Sequence, residues 1–211
     1  MLAAVLAFGM NLPAEAAFLV ARGGKAKCVI VRQTGATVTE SNAVRELAET
    51  LEKITGAKFE VRTEADGRVP KKAIVVGPGA AARALFPEVP LDKLGAEELV
   101  MKVRNGRLLL AGGRPRGTLY AVNRFLQEQG GARWWTPWAA SLPWRDRLRV
   151  PDLNTRYQPP FEYREPFWYA GFEPRWKTRN GANGHSHEIP PALGGCVKYK
   201  GFAHTFYPLV P

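Results

Sequence analysis

Cysteine is nearly absent: Cys28 and Cys196 are the only two in 211 residues. One pair defines neither a disulfide framework nor a zinc site, so the fold must rest on its packed core. Cys28 lies in Cys28-Val29-Ile30-Val31, where a thiol packs as a small hydrophobe. No apolar run is long enough to span a bilayer. Runs of Lys and Arg never exceed two, and no zinc-finger, RNP or helix-turn-helix spacing occurs. The net charge of +11, from 30 basic and 19 acidic residues, is therefore dispersed among apolar positions and argues against a nucleic-acid partner. Walker and Rossmann spacings are lacking too, so Gly77-Pro78-Gly79 and Gly112-Gly113 are expected to be turns and no cofactor is expected.

Hydrophobic residues make up 45% of the chain, enough for a globular core. At the N-terminus, Leu2-Ala3-Ala4-Val5-Leu6-Ala7-Phe8 precedes Ala14-Glu15-Ala16. A short apolar core before an Ala-x-Ala site predicts a signal peptide over residues 1–16 and a secreted or periplasmic protein. No Lys or Arg precedes that core, and the other reading is a buried strand or helix.

Residues 17–150 carry the clearest periodicity. Val44, Leu47, Ala48, Leu51 and Ile54 recur at spacings of three and four, predicting a helix over residues 40–55 stopped by Gly56. Leu119, Val122 and Leu126 predict a second over 117–129, stopped by Gly130-Gly131. A small helix is expected over 80–85. Strands are expected over 58–62, 73–76 and 148–150. Asn105-Gly106 joins a hairpin over 99–103 and 107–111. Gly23-Gly24-Lys25 reads as a hairpin turn between Phe18-Leu19-Val20 and Cys28-Val29-Ile30-Val31. This order predicts an α+β fold: a two-layer sandwich in which two amphipathic helices cover one face of a mainly antiparallel sheet. Trp134 and Trp135 are adjacent and alternate on a strand, so one is core and the other faces outward. Arg114 and Arg116 flank the start of the second long helix. They either contact an anionic sugar or tie the helix start to the second unit of the chain.

Residues 151–211 are a connector and then that second unit, from about Pro159, rich in residues that line sugar sites. Phe161-Glu162-Tyr163-Arg164-Glu165 alternates like a strand. Two acids on one strand seldom bracket a glycosidic bond, so no catalytic pair is assigned there. Gly181, Gly184, Gly194 and Gly195 mark a mobile loop. His185, His187 and His204 lack companion ligands, and no metal site is expected. The tail is expected to be only partly ordered by itself.

The stretch Gly112-Gly113-Arg114-Pro115-Arg116-Gly117-Thr118-Leu119-Tyr120-Ala121-Val122, with Phe125-Leu126 and Arg133-Trp134-Trp135-Thr136-Pro137, resembles the N-terminal domain of alpha-glucuronidases and of related bacterial secreted proteins. Residues 46–57, Ile74-Val75-Val76-Gly77 and residues 161–165 support the same resemblance, which covers roughly residues 18–211. The first part also resembles the small domain preceding the barrel in beta-hexosaminidases. The resemblance implies an accessory domain followed by the first elements of an incomplete (β/α) barrel. The rest of the barrel would follow in cis, carrying the catalytic acids. It implies glycosidase-type hydrolysis and a carbohydrate substrate, an acidic sugar among the candidates. Arg164, Glu165, Trp168, Arg179, Asn180 and His204 would then face substrate. The rival class is a non-enzymatic carbohydrate-binding or scaffold module.

Overall fold

The computed structural model describes residues 17–66 and 68–199. The expected signal peptide and His204 lie outside the described residues. In chain order the strands are β1 (Phe18–Arg22), β2 (Lys25–Ala26), β3 (Val29–Arg32), β4 (Val61–Thr63), β5 (Ala73–Val76), β6 (Leu99–Arg104), β7 (Arg107–Gly112), β8 (Arg133–Thr136), β9 (Ala139–Ser141), β10 (Arg147–Val150) and β11 (Asn154–Tyr157). The helices are α1 (Val38–Thr55), α2 (Ala80–Leu85), α3 (Gly117–Glu128) and α4 (Pro174–Arg179).

Helix α1 begins two residues earlier than its apolar period indicates, because Thr37 and Glu40 form a capping box. The Thr37 N–H donates to Glu40 Oε2 at 2.7 Å and the Glu40 N–H donates to Thr37 Oγ1 at 3.1 Å. The helix ends where Gly56 turns left-handed at φ 69°. Its apolar face joins that of α3 over Ile30, Ile74, Val76, Leu108 and Leu110.

The main sheet has the order β11-β6-β7-β5-β3-β4. It is mixed, which corrects the expectation of a mainly antiparallel sheet. Strands β4, β3, β5 and β7 pair in parallel, while β6 runs antiparallel to both of its neighbours, β7 and β11. The cause lies in the connections: α1 carries the chain from β3 to β4, and a helix crossover returns a strand in the same direction. The opposite face is also covered. Val31, Val75, Leu109 and Ala111 pack there with Ala82 and Phe86 from α2 and its C-terminal side. Alternate residues of the central strands thus enter two cores, the pattern of a sheet buried on both faces.

Gly23-Gly24 does make a tight turn, but it joins β1 to the short β2, and β3 goes to the main sheet. The other partner of β1 is β10, with Phe18 opposite Val150. Strand β4 starts three residues later than expected, as an edge strand with Val61 exposed. Trp134 is buried and Trp135 is exposed, as alternation requires. Cys28 is buried and its thiol is pushed up to about 12 by desolvation.

Residues 161–165 pair in no β-ladder, a correction to the strand expectation. Side chains hold this segment instead. The Arg164 N–H donates to Asn183 Oδ1 at 2.8 Å, and the Asn183 N–H returns to the Arg164 carbonyl at 3.0 Å. The described residues after 158 form α4 and short 3-10 turns rather than barrel strands.

Candidate functional site

Three long side chains of the first part dock the tail. Tyr120 donates to the Ala182 carbonyl at 3.2 Å, Asn123 to that of Thr178 at 3.1 Å and Gln127 to that of Arg179 at 2.9 Å. All three stand on α3. From the tail, Trp176 Nε1 donates to the Trp134 carbonyl at 2.9 Å. Glu173 caps α4, accepting from the Arg175 N–H at 3.0 Å.

Between α3, β11 and this docked segment lies a cleft of about 330 Å³. Arg164, Arg179 and Asn180 line it, so the fold brings together three of the six residues expected at a sugar site. Each is positioned by a partner. Arg164 bonds the Gly181 carbonyl at 2.6 Å and pairs with Glu97 at 2.6 Å. Arg179 Nε donates to Glu46 Oε1 at 2.6 Å, its guanidinium 5.0 Å from the Trp134 ring centre. Asn180 ends α4 and donates to the Trp176 carbonyl at 3.0 Å.

Sequence reasoning missed other lining residues. The Arg124 guanidinium stacks 4.0 Å from the Tyr157 ring centre and pairs with Glu128 at 2.6 Å. Asn123 is buried, and its Oδ1 finds no hydrogen-bond partner among the described residues. An available signal was the buried-side position of Asn123, one residue after Val122 in an otherwise apolar series.

Glu165, Trp168 and His204 stand elsewhere. The Glu165 side chain is buried against Lys177, with Nζ 3.0 Å from Oε1. Burial alone would raise its carboxyl. The Ser186 N–H and the Lys177 ammonium outweigh that and hold it below the ordinary carboxylate value. Gly184 is explained by the same group: a Cβ there would lie 2.1 Å from Glu165 Oε2. Trp168 is exposed, tilted against Trp176 at 5.6 Å between ring centres. His204 lies outside the described residues.

Glu97 and Arg116 of the first part also dock the tail. Glu97 accepts from Arg116 at 2.7 Å and from Asn183 at 2.7 Å, besides pairing with Arg164. Arg116 also reaches the Gly194 carbonyl at 3.1 Å, and Arg114 pairs with Glu40 at 3.0 Å. Arg116 thus ties the start of α3 to the second unit, whereas Arg114 pairs with α1 within the first. His185 Nδ1 is 3.1 Å from the Val197 carbonyl, while the His187 ring stacks on Phe172 at 3.8 Å, so the two histidines have separate partners. The glycine-rich loop has Ala182 and Asn183 buried within it. No helix is long and apolar enough to cross a membrane among the described residues.

The mixed α+β fold is shared with part of a known glycoside hydrolase. The chain is similar to a GH115 4-O-methyl-alpha-glucuronidase, BtGH115A, specific for decorated arabinogalactans. The TM-score is 0.54 at 18% identity, over 70% of this chain and 19% of that one. It is also similar to a GH20 exo beta-N-acetylglucosaminidase from Vibrio harveyi, with a TM-score of 0.44 at 16% identity, over 79% of this chain and 22% of that one. The chain thus spans about a fifth of each protein's length. No family model and no curated protein matches.

Proposed function

We propose that this chain is the N-terminal, non-catalytic portion of a secreted carbohydrate-active enzyme of glycoside-hydrolase type, resembling the alpha-glucuronidases. The observation that carries it is the fold likeness to one part of a much larger alpha-glucuronidase. The exposed aromatics Phe161, Phe167, Trp168 and Tyr169 support a barrel in cis. Such a run of apolar surface is ordinarily covered by a neighbouring unit. The carboxylates Glu97 and Glu165 are engaged in ion pairs, and neither lines the cleft.

The second reading, a carbohydrate-binding module without hydrolysis, draws on the α3 cleft. Stacked Tyr157, the arginines and Asn180 offer both an apolar plane and polar groups suited to a sugar. The two readings agree on one result. The purified chain is expected to hydrolyse no aryl glycoside, glucuronides included, and Glu165→Gln is expected to leave that background unchanged. Turnover that disappears in Glu165→Gln would contradict both.

A further inference from the structure

The parallel strands β3 and β5 are neighbours, yet their connections leave in opposite directions. From β3 the chain passes through α1 to β4 on one side. From β5 it passes through α2 toward the β6–β7 hairpin on the other. Helices α1 and α2 accordingly pack on opposite faces of the sheet. Where two such connections diverge, a crevice opens at the carboxyl ends of the strands, and open α/β sheets bind ligands there.

That crevice is present, with a volume of about 490 Å³. Gln33 and Thr34, directly after β3, form one wall. Gly79, just beyond β5, and Gly113, just beyond β7, form others. Gln33, one of its lining residues, carries an unused donor: it is only 4% exposed, and its Nε2 has no hydrogen-bond partner among the described residues. Two glycines make room for this side chain. A Cβ on Gly77 would lie 2.8 Å from Gln33 Nε2, and one on Gly79 would lie 2.4 Å from Gln33 Cβ. A buried amide left unsatisfied is destabilising, and a ligand acceptor would remove that penalty.

The surrounding charges select the ligand class. The Glu64 carboxylate accepts from the Thr34 N–H at 2.9 Å and the Ala81 N–H at 2.7 Å, so it already fills the donors an anion would seek. Arg83 is paired with Asp92 at 2.9 Å and Arg114 with Glu40 at 3.0 Å. An incoming anion would meet Glu64 and find no unpaired cation among the described lining residues. A hydroxyl group suits both sides, accepting from Gln33 and donating to Glu64. We propose that this crevice is a binding site for a neutral, hydroxyl-rich ligand, a sugar unit or similar polyol, separate from the α3 cleft.

The test is a titration of the isotope-labelled 211-residue chain with methyl β-glucopyranoside and, in a second arm, inorganic phosphate. The Gln33 side-chain amide and the backbone amides of Thr34, Gly79 and Gly113 report on the crevice, whatever happens at the α3 cleft. The glucoside is expected to shift them saturably in the millimolar range, while phosphate leaves them in place. Gln33→Met, which keeps the volume and removes the amide, is expected to weaken the glucoside at least about tenfold. Its backbone spectrum should be otherwise preserved. No glucoside shift at about 100 mM, an equal response to phosphate, or undiminished binding by a folded Gln33→Met would each overturn the proposal. The wild-type titration decides it even where the variant does not fold.

Discussion

Replacing Gly113 by Ala is expected to cost more than about 4 kcal/mol, or to prevent accumulation of folded protein. A Cβ at this position would lie 1.9 Å from the Gly95 carbonyl oxygen and 2.7 Å from that of Leu94. Both obstacles are backbone, so no side-chain rotation relieves them. The neighbouring glycines are crowded alike: a Cβ on Gly112 would lie 2.2 Å from the Gly117 carbonyl carbon, and one on Gly117 would lie 2.4 Å from the Glu98 oxygen. Gly95 supplies the control. Its own Cβ would meet nothing nearer than 3.5 Å, so Gly95→Ala is expected to stay within about 0.5 kcal/mol of the parent. Urea denaturation of the two variants measures the difference, and equal stabilities would contradict the close approach. The glycines of the 112–117 motif are thus explained by the passage from β7 into α3 against the 94–98 segment, without a phosphate.

Lys177→Met is the other change with a large expected effect. Lys177 is fully buried, with Nζ 3.0 Å from Glu165 and 2.9 Å from the Gly184 carbonyl. Removing the ammonium leaves the Glu165 carboxylate buried without its counter-charge, a situation that costs about 3–5 kcal/mol. Adding Glu165→Leu removes the stranded charge, so the double variant is expected to regain most of the loss. A double variant as unstable as Lys177→Met alone would show that the pair is not the cause. The pH dependence has a definite sign. The folded Glu165 carboxyl is held below its ordinary value of 4.5, so its contribution is complete above that value and is lost as pH falls through the lower folded value. Acidification below about pH 4.5 should therefore destabilise the parent more steeply than the double variant.

The two long helices were legible in the sequence because Leu47, Leu51 and Ile54, like Leu119, Val122 and Leu126, repeat at helical spacing beside glycine stops. The Asn105-Gly106 hairpin was legible for an equally local reason: both residues take positive φ, at 47° and 72°. Sheet order was not local. The partner of Phe18 is Val150, and nothing near either residue records that pairing. The strand reading of residues 161–165 failed because alternation alone does not supply a neighbour; Asn183 bonds the Arg164 backbone there in place of a ladder.

For the candidate site, Arg164, Arg179 and Asn180 stood out as polar groups in an aromatic segment. Tyr157 and Arg124 did not, since their stacking depends on β11 running beside α3. Glu165 was recognisable as a polar tail residue but its burial was hidden, because its partner Lys177 becomes adjacent only once α4 has docked.

The most direct measurement of a carbohydrate role is a titration of the chain with methyl glucuronoside and methyl xyloside, followed by nuclear magnetic resonance at the α3 cleft. Saturable shifts are expected at Arg124, Tyr157, Asn180 and Gly181 with at least one of the two sugars. They should weaken about tenfold in Tyr157→Ala, which removes the stacking plane. Shifts at none of these residues with either sugar, in a chain whose spectrum is that of the folded protein, would contradict a carbohydrate role for the cleft.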